Sequence, residues 1–220
     1  MTRPRVALLD IDGTLLDSTY HHALAWARAF TEVGHPVPVW RLHRLIGMGG
    51  DRIVAEILGS RLAEEIGEDV KGRWQAAYDE VIGATQLLPG ARELLDGLRA
   101  GGLEVVLASS SIPQHAEHAL RLLAAGERAD AWTTAEDAEE SKPHPELLEA
   151  ALDRARSDHA VMIGDATWDV IAAARVDVPT IGLRCGGFGE AELREAGAAA
   201  VYDDPADLLA HLDEALAGLS

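Results

Sequence analysis

Val6-Ala7-Leu8-Leu9-Asp10-Ile11-Asp12-Gly13-Thr14 is the stretch on which the fold turns. Its apolar run is short and continuous, which reads as a buried strand of a parallel sheet. Ligands of open α/β sheets bind just beyond the carboxyl ends of such strands. Residues two apart in a strand point to one side, so Asp10 and Asp12 converge on a small volume. Gly13 permits a sharp exit, and Thr14 sets a hydroxyl beside the pair. Two carboxylates held together repel unless a proton or a cation intervenes, so the arrangement asks for a metal. A calcium loop also alternates acidic residues, but it closes on a Glu and follows a helix. The continuation Thr14-Leu15-Leu16-Asp17-Ser18-Thr19-Tyr20-His21 has neither feature.

Working outward, residues 17 to about 85 contain no evident strand and read as helices near 18–33, 39–46, 50–59 and 61–83. Breaks fall at Gly34-His35-Pro36, between Gly47 and Gly50, and at Gly59. From Leu87-Leu88-Pro89-Gly90 onward the rhythm changes. Strand-like runs at Leu103–Ala108, Ala131–Thr134, Ala160–Ile163, Pro179–Leu183 and Ala199–Tyr202 alternate with helical stretches. Such alternation means parallel βαβ units with helices on both faces. The expected architecture is α/β: a Rossmann-like doubly wound parallel sheet, residues 1–16 and 86–220, carrying an inserted α-helical cap domain, 17–85. The insertion joins the core beside the Asp pair and is expected to act as a lid.

Charge and cysteine content narrow the partners. A formal charge of −18 over 220 residues argues against a nucleic-acid surface, which needs basic stripes. The single Cys185 excludes an internal disulfide framework and reads as a reduced, unreactive thiol. No basic-then-apolar leader is evident, and no apolar run reaches the ~18 residues of a membrane span, so a cytoplasmic location is expected. Either a monomer or a homodimer suits this composition.

Several strands end in polar residues of complementary chemistry. The second core strand ends at Ser109-Ser110-Ser111, Lys142 lies in Glu140-Ser141-Lys142-Pro143-His144-Pro145, and the strand at 160–163 ends in Gly164-Asp165-Ala166-Thr167-Trp168-Asp169. Singly, each has an ordinary explanation in capping, solvation or turns. In order at one edge of a sheet, they form a pattern. With Asp10-Ile11-Asp12-Gly13-Thr14, this pattern resembles the haloacid dehalogenase superfamily, specifically its phosphatases with a helical cap after the first motif. The resemblance spans nearly the whole chain, and Ser109 and Lys142 are separated too narrowly for a later-inserted cap.

The resemblance implies the following roles. Asp10 is the nucleophile that forms an aspartyl-phosphate, and Asp12 protonates the leaving oxygen and then deprotonates water. Mg²⁺ is held by the Asp10 carboxylate, the Asp12 carbonyl and Asp165, while Asp169 orients waters or Lys142. Ser109, Ser110 and Thr14 meet phosphate oxygens, and Lys142 offsets negative charge. Cap residues His22, Met48 and Arg52 are candidate substrate contacts. The substrate is a small phosphorylated metabolite, of the phosphoglycolate or sugar-phosphate type. A dehalogenase would lack Asp12. A mutase of the β-phosphoglucomutase type would carry an arginine where Ile46-Gly47-Met48-Gly49-Gly50 offers glycine. A phosphorylated signalling or binding module would need neither Asp12 nor a cap.

Overall fold

The computed structural model describes residues 4–219. The chain divides into two compact units: one runs up to Asp17 and from Gln86 onward, and the other is Ser18–Thr85. The first unit begins with β1 (Val6–Leu9) and the two-residue β2 (Leu16–Asp17). The second holds α1 (Thr19–Glu32), α2 (Val39–His43), α3 (Gly50–Leu58), α4 (Ser60–Asp79) and a 3-10 turn at Ile82–Ala84. The first unit resumes with β3 (Gln86–Leu87), α5 (Ala91–Ala100), β4 (Glu104–Ala108), α6 (Pro113–Leu123), α7 (Ala125–Arg128) and β5 (Ala131–Thr133). Then follow α8 (Glu146–Asp153), β6 (Ala160–Gly164), α9 (Thr167–Ala174), β7 (Thr180–Leu183), α10 (Glu190–Ala196), β8 (Ala200–Tyr202), α11 (Pro205–Ala210) and α12 (Leu212–Ala217).

Six of these strands form one parallel sheet in the order β5-β4-β1-β6-β7-β8. Alternation along each strand explains why both faces are covered. Ala7, Leu9, Val105, Leu107, Val161 and Ile163 face a cluster with Leu94 and Leu98 of α5, Leu208 of α11 and Leu216 of α12. Their neighbours Val6, Leu8, Val106, Ala108 and Met162 face Leu148 of α8 and Ala172 and Ala173 of α9. Strands buried on both faces need apolar residues at every position, which is why β1 is an unbroken apolar run. The chain order reverses between β1 and β6, and in open sheets of this kind ligands bind in the crevice beyond the strand ends at that point.

Two features depart from the sequence reading. The stretch from 17 to 85 does contribute to a strand pairing: Leu16 and Asp17 of β2 pair antiparallel with Leu87 and Gln86 of β3, at the two points where the chain enters and leaves the insertion. Two-residue strands carry no readable periodicity. The terminal helix is two helices, broken at His211. The insertion is held internally by two i,i+4 aromatic pairs, His22 and Trp26 of α1 and Trp74 and Tyr78 of α4. His22 stacks on Tyr78 at a centroid distance of 3.8 Å, and Trp26 stacks on Trp74 at 4.9 Å. No described helix is long and apolar enough to cross a membrane.

Gly90 supplies a clean test of packing. Its φ is 77°, and a Cβ there would lie 2.7 Å from the Ala206 backbone at the start of α11. Gly90→Ala is expected to destabilise the protein by about 1–3 kcal/mol through combined overpacking and left-handed strain. Urea unfolding should show a lower midpoint with an unchanged slope.

Candidate active site

The site is built by strand register. Leu9 of β1 lies beside Leu107 of β4 and Ile163 of β6. The residues just beyond these pairs therefore emerge together at the carboxyl edge, and the Asp10 amide is tied to the Ile163 carbonyl at 3.0 Å. Asp10 follows β1, Ser109 follows β4, and Asp165 follows β6. Lys142, from the segment before α8, reaches the same place. Its Nζ donates to Asp10 Oδ1 at 2.6 Å and to Asp169 Oδ1 at 2.7 Å, and its side chain is fully buried.

Each carboxylate has a distinct environment. Asp169 Oδ1 is taken by Lys142 and Oδ2 by the Ala166 amide at 3.0 Å. It therefore acts as a brace that fixes the ammonium. Asp165 Oδ1 accepts the Thr14 hydroxyl at 2.8 Å. Asp10 commits only Oδ1, leaving Oδ2 free among the described residues. Asp12 is half-buried, and its Oδ2 accepts the Ser111 hydroxyl at 2.7 Å. Ser109 Oγ accepts the Ser111 amide at 3.1 Å, so its proton is available to an oxyanion.

The titration behaviour follows from these surroundings. Burial is the largest influence on Asp10 and pushes it up; Lys142 pulls it down, Asp169 and Asp12 push it up, and it comes to about 7. Burial, followed by the charges of Asp169 and Asp10, also holds Asp165 well above the usual carboxylate range. For Lys142, burial alone disfavours the ammonium, but Asp10 and Asp169 outweigh it and raise the pKa. Oxygens of Asp10, Asp165 and Asp169 lie within 4.8 Å of one another, all buried. Fully ionised, the three carboxylates and one ammonium leave two negative charges uncompensated. A hard divalent cation with an oxygen shell fits that donor set.

The structure brings Asp10, Asp12, Ser109, Lys142, Asp165 and Asp169 together, but it changes the place of two other expected residues. Thr14 was expected to meet the substrate, yet it is fully buried and gives its hydroxyl to Asp165, so it positions that carboxylate. His22, expected as a substrate contact, is buried with its ring stacked against Tyr78 in the insertion. Ser110 is half-buried, with no hydrogen bond from its hydroxyl among the described residues. Met48 is half-buried in a bridge to Ile46, and Arg52 stands 3.9 Å from Asp51. These last two and His22 belong to the insertion, whereas the constellation around Asp10 comes wholly from the other unit. The sequence reading did not single out Ser111, although the serine triplet carried the signal. Cys185 donates to the Gly13 carbonyl, and burial pushes its thiol up, as an inert structural cysteine requires.

A family model described as haloacid dehalogenase-like hydrolase matches residues 4–177, and a related one matches 140–215. The chain is 30% identical to a validoxylamine A 7'-phosphate phosphatase of Streptomyces hygroscopicus subsp. limoneus, over 81% of this chain and 85% of that protein. It is 28% identical to a phosphoglycolate phosphatase of Rhodospirillum rubrum, over 93% and 89%. Among solved structures, a hydrolase from Pseudomonas syringae superposes with a TM-score of 0.88 at 36% identity, covering 95% of this chain and 98% of that one. A β-phosphoglucomutase from Clostridium difficile shares the fold, with a TM-score of 0.84 at 21% identity over 98% of each chain.

Two outcomes test the site's electrostatics. Lys142→Met leaves two buried carboxylates without their counter-charge and is expected to cost ~3–5 kcal/mol of stability in denaturant titration. The raised Asp10 means that the folded protein binds more protons than the unfolded chain between the ordinary value of 3.8 and about 7. Its contribution to metal-free stability therefore falls as pH rises through that window. Thermal unfolding should show Asp10→Asn gaining stability relative to wild type from pH 4 to pH 7, with little further change above.

Proposed function

The chain is a phosphatase of the haloacid dehalogenase-like hydrolase family, and from that premise we propose that it is Mg²⁺-dependent and acts through an aspartyl-phosphate. Its substrate would be a small phosphorylated metabolite, of the phosphoglycolate or sugar-phosphate type. The observation that carries this reading is the Asp10–Lys142–Asp169 triad, with Asp10 Oδ2 left uncommitted at the crevice. The names of the validoxylamine A 7'-phosphate and phosphoglycolate phosphatases support the substrate class.

Phosphoryl transfer depends on positioning and on neutralising the equatorial oxygens. Lys142 holds the Asp10 carboxylate in a fixed plane and sets a positive charge beside the phosphoryl group. Asp10 attacks phosphorus, the bond to the leaving oxygen breaks, and Asp12 delivers a proton to that oxygen. Water then attacks phosphorus, Asp12 takes its proton, and the bond to Asp10 breaks to release inorganic phosphate. The Ser111 hydroxyl holds Asp12 in one rotamer for both transfers. Ser109 donates to a phosphoryl oxygen, and Thr14 keeps Asp165 aligned. Asp10, Asp165 and the Asp12 carbonyl would hold Mg²⁺, which supplies charge neutralisation at the phosphoryl oxygens when bound.

A panel of phosphorylated metabolites, assayed for phosphate release with Mg²⁺ and with EDTA, tests the reading directly. Release is expected only with the metal. Asp10→Asn should abolish it while preserving the circular dichroism spectrum and a cooperative unfolding transition. Turnover by a folded Asp10→Asn protein would exclude Asp10 as the nucleophile. Ser111→Ala should lower kcat by about tenfold to a hundredfold with KM little changed, because it loosens the proton-transfer group and not substrate binding.

A further inference from the structure

We infer that the opposite, amino edge of the sheet carries a binding site for a small oxyanion of the phosphate type. A cavity of about 350 Å³ opens there, and three of its lining residues are arginines: Arg5 just before β1, Arg99 in the last turn of α5, and Arg156 in the segment before β6. Glu104 and Asp130 also line it. Each carboxylate gives one oxygen to main chain: Glu104 Oε2 accepts the Arg156 amide at 2.9 Å, and Asp130 Oδ2 accepts the Val105 amide at 3.0 Å.

Several of the chain's arginines are held close by carboxylates. Arg28, Arg154, Arg184 and Arg194 each have a partner at 2.8 Å or less. The pairs that line the cavity are longer than these. Arg99 stands 3.5 Å from Asp130, Arg156 stands 3.8 Å from Glu104, and Arg5 is exposed with no ion-pair partner among the described residues. Ser157 Oγ, also in the lining, accepts the His159 amide at 3.2 Å and so has its proton to donate. Loosely paired arginines and a hydroxyl with a proton to donate, from residues that line one concavity, match the acceptors of a tetrahedral oxyanion.

This site is separate from the catalytic edge. Arg5 and Asp10 lie at opposite ends of β1, about 17 Å apart along extended chain. The inference does not depend on the phosphatase reading.

Titration of the ¹⁵N-labelled full-length protein with inorganic phosphate at constant ionic strength tests it. The amides of Gly102, Glu104 and Ser157 are expected to shift together and saturably, with a midpoint independent of any change at Ser109 or Gly164. Arg5→Ala/Arg156→Ala should weaken that set by about tenfold or more, the loss expected from removing charge-assisted hydrogen bonds, and leave the catalytic-edge set unaltered. Arg61→Ala/Arg121→Ala removes the same two units of charge from exposed helix faces and should change neither set. The inference is overturned by the absence of saturable shifts at the amino edge. It is equally overturned by shifts that survive the double variant, or that chloride reproduces at equal ionic strength.

Discussion

A single ammonium group, Lys142 Nζ, is the point on which the site is built. It is fully buried and lies within hydrogen-bond distance of Asp10 and Asp169, which lie on either side of the insertion in the sequence. A buried lysine without such partners would lose its charge, and carboxylates packed this densely without it would take up protons. Each charge is therefore tolerated only because the others are in place. The geometry must also be close, since breaking one buried pair leaves an uncompensated charge behind. Asp169 serves this balance most directly, with both oxygens committed to Lys142 and to the Ala166 amide.

The sheet supplies the precision that this balance requires. Parallel strands in register deliver Asp10, Ser109 and Asp165 to one level, and alternation along the same strands buries apolar side chains on both faces. A rigid platform with polar residues only at its ends keeps water from the lysine. The chain's large negative charge does not reach this arrangement in simple form. It is distributed over an exterior where most arginines pair with carboxylates, and such exposed pairs contribute little individually.

The insertion follows a different logic. Its two longest helices meet through interleaved aromatic rings, His22 and Trp26 against Trp74 and Tyr78, with Arg28 and Arg73 linking α1 to α4 through Glu32 and Glu80 at the surface. In the sequence, His22 stands out as a polar residue next to a motif. In the structure its ring is packing material. The helical spacing that places Trp26 on a buried face applies equally to His22, four residues earlier, and spacing alone does not reveal what waits opposite.

Local physics was legible in the residues themselves. The unbroken apolar run before Asp10, the alternation of strands with helices, and the placement of Asp10, Ser109 and Asp165 just past strand ends follow from periodicity, whereas the roles of Asp12, Lys142 and Asp169 were implied by the family resemblance. These features were readable because β-strand burial and helix amphipathicity act over a few neighbouring residues. Partner choice was decided by tertiary structure alone. That Thr14 serves Asp165 and that Ser111 serves Asp12 depends on contacts across 151 and 99 residues. The short β2–β3 ribbon and the arginine-lined cavity at the amino edge belong to the same class. A hydroxyl or a guanidinium can bond to many groups, and only the folded chain determines which one is within three ångströms or so of it.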